Sequence, residues 1–118
     1  MNRTFIATTM LASLLGSAEA AEPIQSGNAT SGRAVYERWC APCHAPGPGH
    51  PGTQSLELKY GAKLPAVILE RTDLAPQAVA VFVRQGVLSM APFRKTEISD
   101  AELAALAAYV AGNFKEPG

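Results

Sequence analysis

The sequence predicts an all-α domain of three to four helices, and three observations carry that expectation. Apolar residues recur at spacings of three and four, Gly- and Pro-rich stretches separate the periodic segments, and no alternating or β-branched run long enough for a strand occurs. At 118 residues the chain is one domain. The first helix is expected to start at Asn28, whose side-chain oxygen can accept a free backbone N–H, and to run through Arg33, Val35, Tyr36 and Trp39 to a cysteine pair. Residues 45–52 are nearly all Pro and Gly and read as a loop, because Pro lacks the donor N–H and Gly loses too much backbone entropy. Pro65 and Pro76 each read as the first-turn residue of a middle helix, where a missing N–H costs nothing. The second of these carries Val79, Phe82 and Val83 at helical spacing and closes at Gly86. A loop over 87–98 follows. The last helix has the clearest local signal, a Ser99/Glu102 capping box ahead of Leu103, Leu106, Tyr109 and Val110. No internal repeat is present.

Residues 1–20 read as a cleavable export signal. Arg3 gives a positive start, Phe5 to Leu15 is mostly apolar, and Ala18-Glu19-Ala20 offers small residues to a signal peptidase. An apolar stretch of this length, carrying Thr8, Thr9 and Ser13, falls short of the roughly 20 residues that a membrane span requires. Residues 21–27 then form a flexible polar arm and 28–118 the folded domain, expected in the periplasm with no membrane span after cleavage. That compartment is oxidising, and free cysteine pairs seldom persist there.

Formal net charge is zero, with ten Lys or Arg against ten Asp or Glu. Nucleic acid and anionic membrane surfaces are excluded as partners, since both select clustered cations on a strongly basic domain. The zero conceals a segregation. Residues 59–95 hold Lys59, Lys63, Arg71, Arg84, Arg94 and Lys95 against Glu70 and Asp73, a surplus of four positive charges. Residues 96–118 hold Lys115 against Glu97, Asp100, Glu102 and Glu116, a surplus of three negative charges. Alanine supplies 21 of the 118 residues and aromatic side chains only eight. That is a thin core for a chain of this size, and it leaves room for a bulky group that is not protein.

The chemistry concentrates in Cys40-Ala41-Pro42-Cys43-His44. Two thiols three positions apart, followed at once by an imidazole, suit covalent attachment of a haem: each thiol adds across a vinyl group and the imidazole reaches the iron. Three other readings compete. Trp39-Cys40-Ala41-Pro42-Cys43 looks like a thioredoxin-type dithiol, whose first thiol attacks disulfides as a low-pKa thiolate; that chemistry sits beside a βαβ pattern, and none is predicted here. A structural disulfide would leave His44 without a task. A zinc site could draw on both cysteines, His44 and His50, but the Pro/Gly loop between the histidines gives a poor spacing.

Around this motif the chain resembles the class I c-type cytochromes, over residues 28–114. Gly32 and Tyr36 stand where that family keeps a small and an aromatic residue on its N-terminal helix, and Leu106 and Tyr109 stand at the matching places of its C-terminal helix. The resemblance implies a class I cytochrome c fold in which these two helices cross, a Gly at the crossing allowing close approach. It also implies one covalent haem c, tethered by Cys40 and Cys43 with His44 as an axial ligand. Met90, in Gly86-Val87-Leu88-Ser89-Met90-Ala91-Pro92-Phe93, resembles the family's methionine loop, although Ala91 intervenes where many members place Pro directly after Met. Met1 and Met10 belong to the signal, which leaves Met90 as the methionine of the domain, and His50 is the alternative sixth ligand. Leu56, Leu64, Leu74, Phe82, Val83 and Phe93 are the expected haem wall, and the Pro51 carbonyl is the expected acceptor for His44 Nδ1.

In that family the middle segment surrounds the Met side of the haem. Lys59, Lys63, Arg84, Arg94 and Lys95 are therefore the expected docking face for an acidic patch on a redox partner. Residues 59–109 are further similar to small cytochromes that accept electrons from exported flavin dehydrogenases, such as the cytochrome subunit of the phenol-oxidising flavocytochromes. A periplasmic flavoprotein dehydrogenase as donor and a terminal oxidase or another cytochrome as acceptor follow from that similarity, and the chain itself is expected to carry electrons and to hold no catalytic residue. Two other functions stay open: a haem-based enzyme or gas sensor in which Met90 dissociates, and the thiol oxidoreductase. Arg71 and His50 have no assigned role at this level.

Overall fold

Helix α1 (Gly32–Trp39) is capped by Ser31, whose hydroxyl accepts the Ala34 N–H at 3.2 Å. The computed structural model describes residues 31–115, so the cap expected at Asn28, the signal (1–20) and the arm (21–27) lie outside the described residues. The Cys40 N–H closes on the Tyr36 carbonyl at 2.8 Å, and a four-residue turn, α2 (Ala41–His44), starts at once. Pro42 lies in its first turn, where no N–H is needed.

Beyond His44 the structure corrects the expected elements. Pro51 and Gly52, read from sequence as the end of a loop, form the first turn of α3 (Pro51–Tyr60), which Gly61 closes at φ 54°. Pro65 opens no α-helix: one 3-10 turn (Gly61–Lys63) precedes it and another (Ile68–Glu70) follows. Helix α3 is defined by its Pro and Gly ends and not by an apolar stripe. Leu58 is 89% exposed, and the one buried residue of the helix is Thr53, whose hydroxyl donates to the Ala45 carbonyl at 2.9 Å.

Helix α4 (Pro76–Gln85) runs from Pro76 to a Gly86 cap at φ 70°, as expected. Helix α5 (Asp100–Val110) carries both arms of the capping box, Glu102 N–H to Ser99 Oγ at 3.2 Å and Ser99 N–H to Glu102 Oε2 at 2.8 Å. Among the described residues the only strand-like feature is the isolated pairing of Val87 with Met90. Five α-helices are thus present among them: α2, which carries Cys43 and His44, and α3 are additional to the expected set, and the helix expected to open at Pro65 is missing from it.

Helices α1, α4 and α5 share the core, formed by Val35, Tyr36, Val79, Val83, Leu103, Leu106, Ala107 and Val110. Ile98, a loop residue on sequence grounds, joins them with no exposure at all. Helices α1 and α5 meet with Gly32 against Ala105 and Tyr109: a Cβ at Gly32 would lie 2.0 Å from the Ala105 carbonyl oxygen. Beside this contact the Tyr36 and Tyr109 rings pack at 5.7 Å between centroids, tilted by 55°.

The extended segment after Ile68–Glu70 is stapled by Arg71. This residue is 6% exposed, its Nε donates to Asp73 Oδ1 at 2.7 Å, and its guanidinium lies 4.7 Å from the centre of the Tyr60 ring. Asp73→Ala leaves a buried guanidinium without its counter-charge and is expected to cost about 3 kcal/mol. Arg71→Ala leaves a carboxylate that water reaches and is expected to cost about 1–2 kcal/mol. Urea denaturation that ranked the two variants in the opposite order would refute the staple. The hydrogen bond from Arg71 also holds the Asp73 carboxyl below the usual carboxylate range. A carboxyl depressed in the folded state stabilises at pH above its unfolded value, and that contribution disappears as pH falls through the folded value. Asp73→Asn should therefore lose less stability than the wild type on acidification from about pH 5 to about pH 2.

Candidate functional site

The junction of α1 and α2 at Cys40 places both thiols and His44 within about one helical turn. Cys40 belongs to the core, Cys43 faces solvent, and both are free thiols. Burial and the neighbouring Cys43 push the Cys40 thiol up to about 11, the reverse of what an attacking thiolate needs. A raised Cys40 thiol argues against the thioredoxin-type dithiol reading, and among the described residues no strand lies beside the motif as that reading requires. Among the described residues no group of three His, Cys, Asp or Glu is placed to hold a metal ion, so the expected alternative of a protein-only zinc site finds no support among them.

His44 is half-buried and fixed from two sides. Its carbonyl accepts the Tyr36 hydroxyl at 3.0 Å, which ties α1 to α2. Its ring lies against Gly52, where a Cβ would come within 2.7 Å of Cε1 and 2.9 Å of Nδ1. Helix α3 thus backs the imidazole through a residue with no side chain. Burial lowers the His44 pKa, favouring the neutral ring that can donate a lone pair to a metal. His44 Nδ1 is buried and has no hydrogen-bond partner. The Pro51 carbonyl, expected to accept from it, instead accepts the Ser55 hydroxyl at 2.8 Å inside α3. Histidines buried for packing alone are nearly always hydrogen-bonded, and one that is buried and unpartnered fits a ligand better than a core residue. His50 immediately precedes α3, where its side chain makes no capping hydrogen bond, and donates from Nδ1 to the Pro42 carbonyl at 3.1 Å, bracing α3 against α2.

Met90 closes a tight turn: Val87 N–H reaches the Met90 carbonyl at 3.0 Å and Met90 N–H the Val87 carbonyl at 2.9 Å. Leu88, at the tip, has φ 50° and is 93% exposed. Met90 is half-buried against the core, as are Leu74 and Phe93, and Phe93 meets the Trp39 ring edge-on at 5.7 Å, bringing the methionine loop to the residue before Cys40. Leu56 and Leu64 are half-buried and Phe82 is 41% exposed. Val83 differs from the other expected wall residues, because it is enclosed with Val79 in the polypeptide core. Large apolar side chains that the chain leaves half-covered, together with two free thiols and an unpartnered imidazole, fit a flat apolar group with a metal at its centre. A separate groove of about 420 Å³ between the 47–57 and 66–70 segments contains none of the thiols, His44 or Met90.

Three of the five cations of the expected docking face meet acids in the fold. Arg84 and Lys95 both pair with Asp100, at 3.0 and 2.7 Å, and Arg94 pairs with Glu97 at 3.5 Å. Of the five cations, Lys59 and Lys63 alone make no ion pair among the described residues, and Lys59 lies over the Tyr60 ring. Glu97, ahead of α5, and Asp100, at its start, fold back on Arg84, Arg94 and Lys95, two acids against three bases, so the segregation along the chain is partly cancelled in space. Asp100 and Gly52 are the site residues that sequence reasoning misses. Gly52 has a usable signal, a glycine in the first turn behind a helix-opening Pro51; Asp100 has none beyond a favourable acid at a helix start.

A strand-free helical fold among the described residues and a Cys-Cys-His turn are the features of a c-type cytochrome domain. The family model described as cytochrome c oxidase, cbb3-type, subunit III matches residues 27–110, and the chain belongs to that family. Its membership makes this a haem-based electron-transfer protein that binds haem c. No curated protein matches the chain.

Proposed function

We propose that the chain is a periplasmic one-electron carrier holding a single haem c, tethered covalently by Cys40 and Cys43 and ligated axially by His44 and Met90. The observation that supports it most is His44, buried without a hydrogen-bond partner and backed by Gly52 one residue beyond two free thiols. When bound, the haem supplies one-electron exchange between Fe(III) and Fe(II), with a soft thioether donor favouring Fe(II). The rest is done by the chain. Cys40 and Cys43 bear the thioether links, the Tyr36 hydroxyl and Gly52 fix His44 in place, and Leu56, Leu64, Leu74, Phe82 and Phe93 keep water from the site. If His44 and Met90 both held the iron, it would offer no free site to a substrate, and the role left to the chain would be electron exchange.

The donor in this reading is an exported flavin dehydrogenase, and the acceptor is a terminal oxidase or another cytochrome. The family's description as an oxidase subunit supports the acceptor half. Because Asp100 serves both Arg84 and Lys95 while Glu97 pairs with Arg94, that cluster keeps one net positive charge, and long-range steering in this reading rests on it together with Lys59 and Lys63.

The test is Met90→Ala. The oxidised wild type should show the weak far-red sulfur-to-iron band; the variant should lose it and fall in reduction potential. A wild type without the band, or one whose reduced form binds carbon monoxide readily, would sink the His44/Met90 assignment in favour of a haem enzyme or sensor.

A further inference from the structure

The loop that carries Met90 is fastened where it ends. Phe93 N–H donates to the Val83 carbonyl at 2.8 Å. Arg84, the next residue along α4, reaches the same point: its Nη1 donates to the Phe93 carbonyl at 3.2 Å and its Nη2 to Asp100 Oδ1 at 3.0 Å. Asp100 is the first residue of α5, and its other oxygen accepts Lys95 Nζ at 2.7 Å. One planar guanidinium therefore joins the helix before the loop, the residue that ends it and the helix after it. Within the loop the Val87–Met90 turn is held by its own two hydrogen bonds, but Ala91 N–H has no backbone partner among the described residues and Pro92 has no N–H to offer. The span from Met90 to Phe93 depends on its anchor at Phe93.

We propose that Arg84 is a positioning residue for Met90: by clamping the Phe93 carbonyl to Asp100 it holds the 86–93 loop closed and sets how readily the thioether leaves the iron. This inference rests on the His44/Met90 ligation proposed above. The fork of the guanidinium matters, because two acceptors on different elements are held at once, and a lysine ammonium on its flexible stem has no comparable fixed geometry. Arg84 is thereby withdrawn from partner docking and given a task inside the molecule.

Imidazole displacing Met90 from the oxidised holoprotein, followed by loss of the far-red band, tests the clamp. Arg84→Leu should raise the apparent imidazole affinity about tenfold, equivalent to about 1.4 kcal/mol. Arg84→Lys should fall between that variant and the wild type, and Asp100→Asn should shift the affinity in the same direction by a smaller factor. An arginine with a merely structural role would lower the urea midpoint without moving imidazole affinity. Affinities within about twofold of the wild type in both Arg84 variants overturn the proposal, and if Arg84→Leu yields no folded holoprotein, Arg84→Lys decides alone. Met90→Ala separates the two failures. If it binds imidazole more tightly than the wild type while the Arg84 variants do not, only the clamp is wrong; if it binds no more tightly, the Met90 ligation is wrong and the clamp falls with it.

Discussion

Gly32→Ala is expected to destabilise the domain by about 3 kcal/mol, although alanine is otherwise the better helix residue by about 1 kcal/mol. The added Cβ would sit 2.0 Å from the Ala105 carbonyl oxygen, 2.6 Å from its carbon and 2.7 Å from Tyr109 Cβ. Two of those atoms are backbone and the third is fixed to it, so no rotamer change relieves the overlap. Non-bonded carbon atoms settle about 3.5–4.0 Å apart, and α5 must therefore move off α1 by more than an ångström or so. That motion opens a core in which Leu106 has no exposure and Val35 and Val110 are each 2% exposed. It also separates the Tyr36 and Tyr109 rings. Urea denaturation of the holoprotein reads the effect, and a variant as stable as the wild type would mean that the helices do not meet at this distance.

Two helices are legible from sequence because their information is local. Pro76 with Gly86 brackets α4, Ser99 with Glu102 starts α5, and both carry apolar residues at helical spacing. Helix α1 is capped by Ser31, a residue type as well suited to that place as the expected Asn28, which lies outside the described residues. Helix α3 is invisible for a different reason. It buries Thr53 and leaves Leu58 exposed, so it lacks the apolar period by which a helix is recognised. The motif is legible because its two thiols and imidazole fall within one turn of the chain. What supports the motif is not, since it acts across the fold. Expecting Pro51 to serve His44 names the right turn and the wrong group: the Pro51 carbonyl points along its own helix to Ser55, and the neighbouring Gly52 meets the ring. The charge segregation is real along the chain, yet Arg84 and Asp100, sixteen residues apart, meet in space and cancel part of it.

Gly86→Ala should combine two costs at the loop that carries Met90. At φ 70° an alanine is strained by about 1–2 kcal/mol. Its Cβ would also lie 2.5 Å from the Met90 carbonyl oxygen, 2.9 Å from Pro92 N and 3.0 Å from Pro92 Cδ. Gly49→Ala isolates the first cost, because Gly49 has φ 88° and a Cβ there would meet nothing within 4 Å. That variant should lose about 1–2 kcal/mol and keep the far-red band. Gly86→Ala cannot relax in the same way, because the obstructing atoms belong to the backbone and proline ring of the loop, and Val87 and Met90 are locked to each other by paired hydrogen bonds. If the loop stays closed, overpacking adds to the strain and the loss reaches about 3 kcal/mol or more. If it opens, stability recovers at the expense of Met90, and the far-red band weakens while carbon monoxide binding to the reduced protein rises. Equal stability and equal spectra in the two alanine variants would show that Gly86 is needed for its backbone angle alone and that the Met90 carbonyl does not press against it.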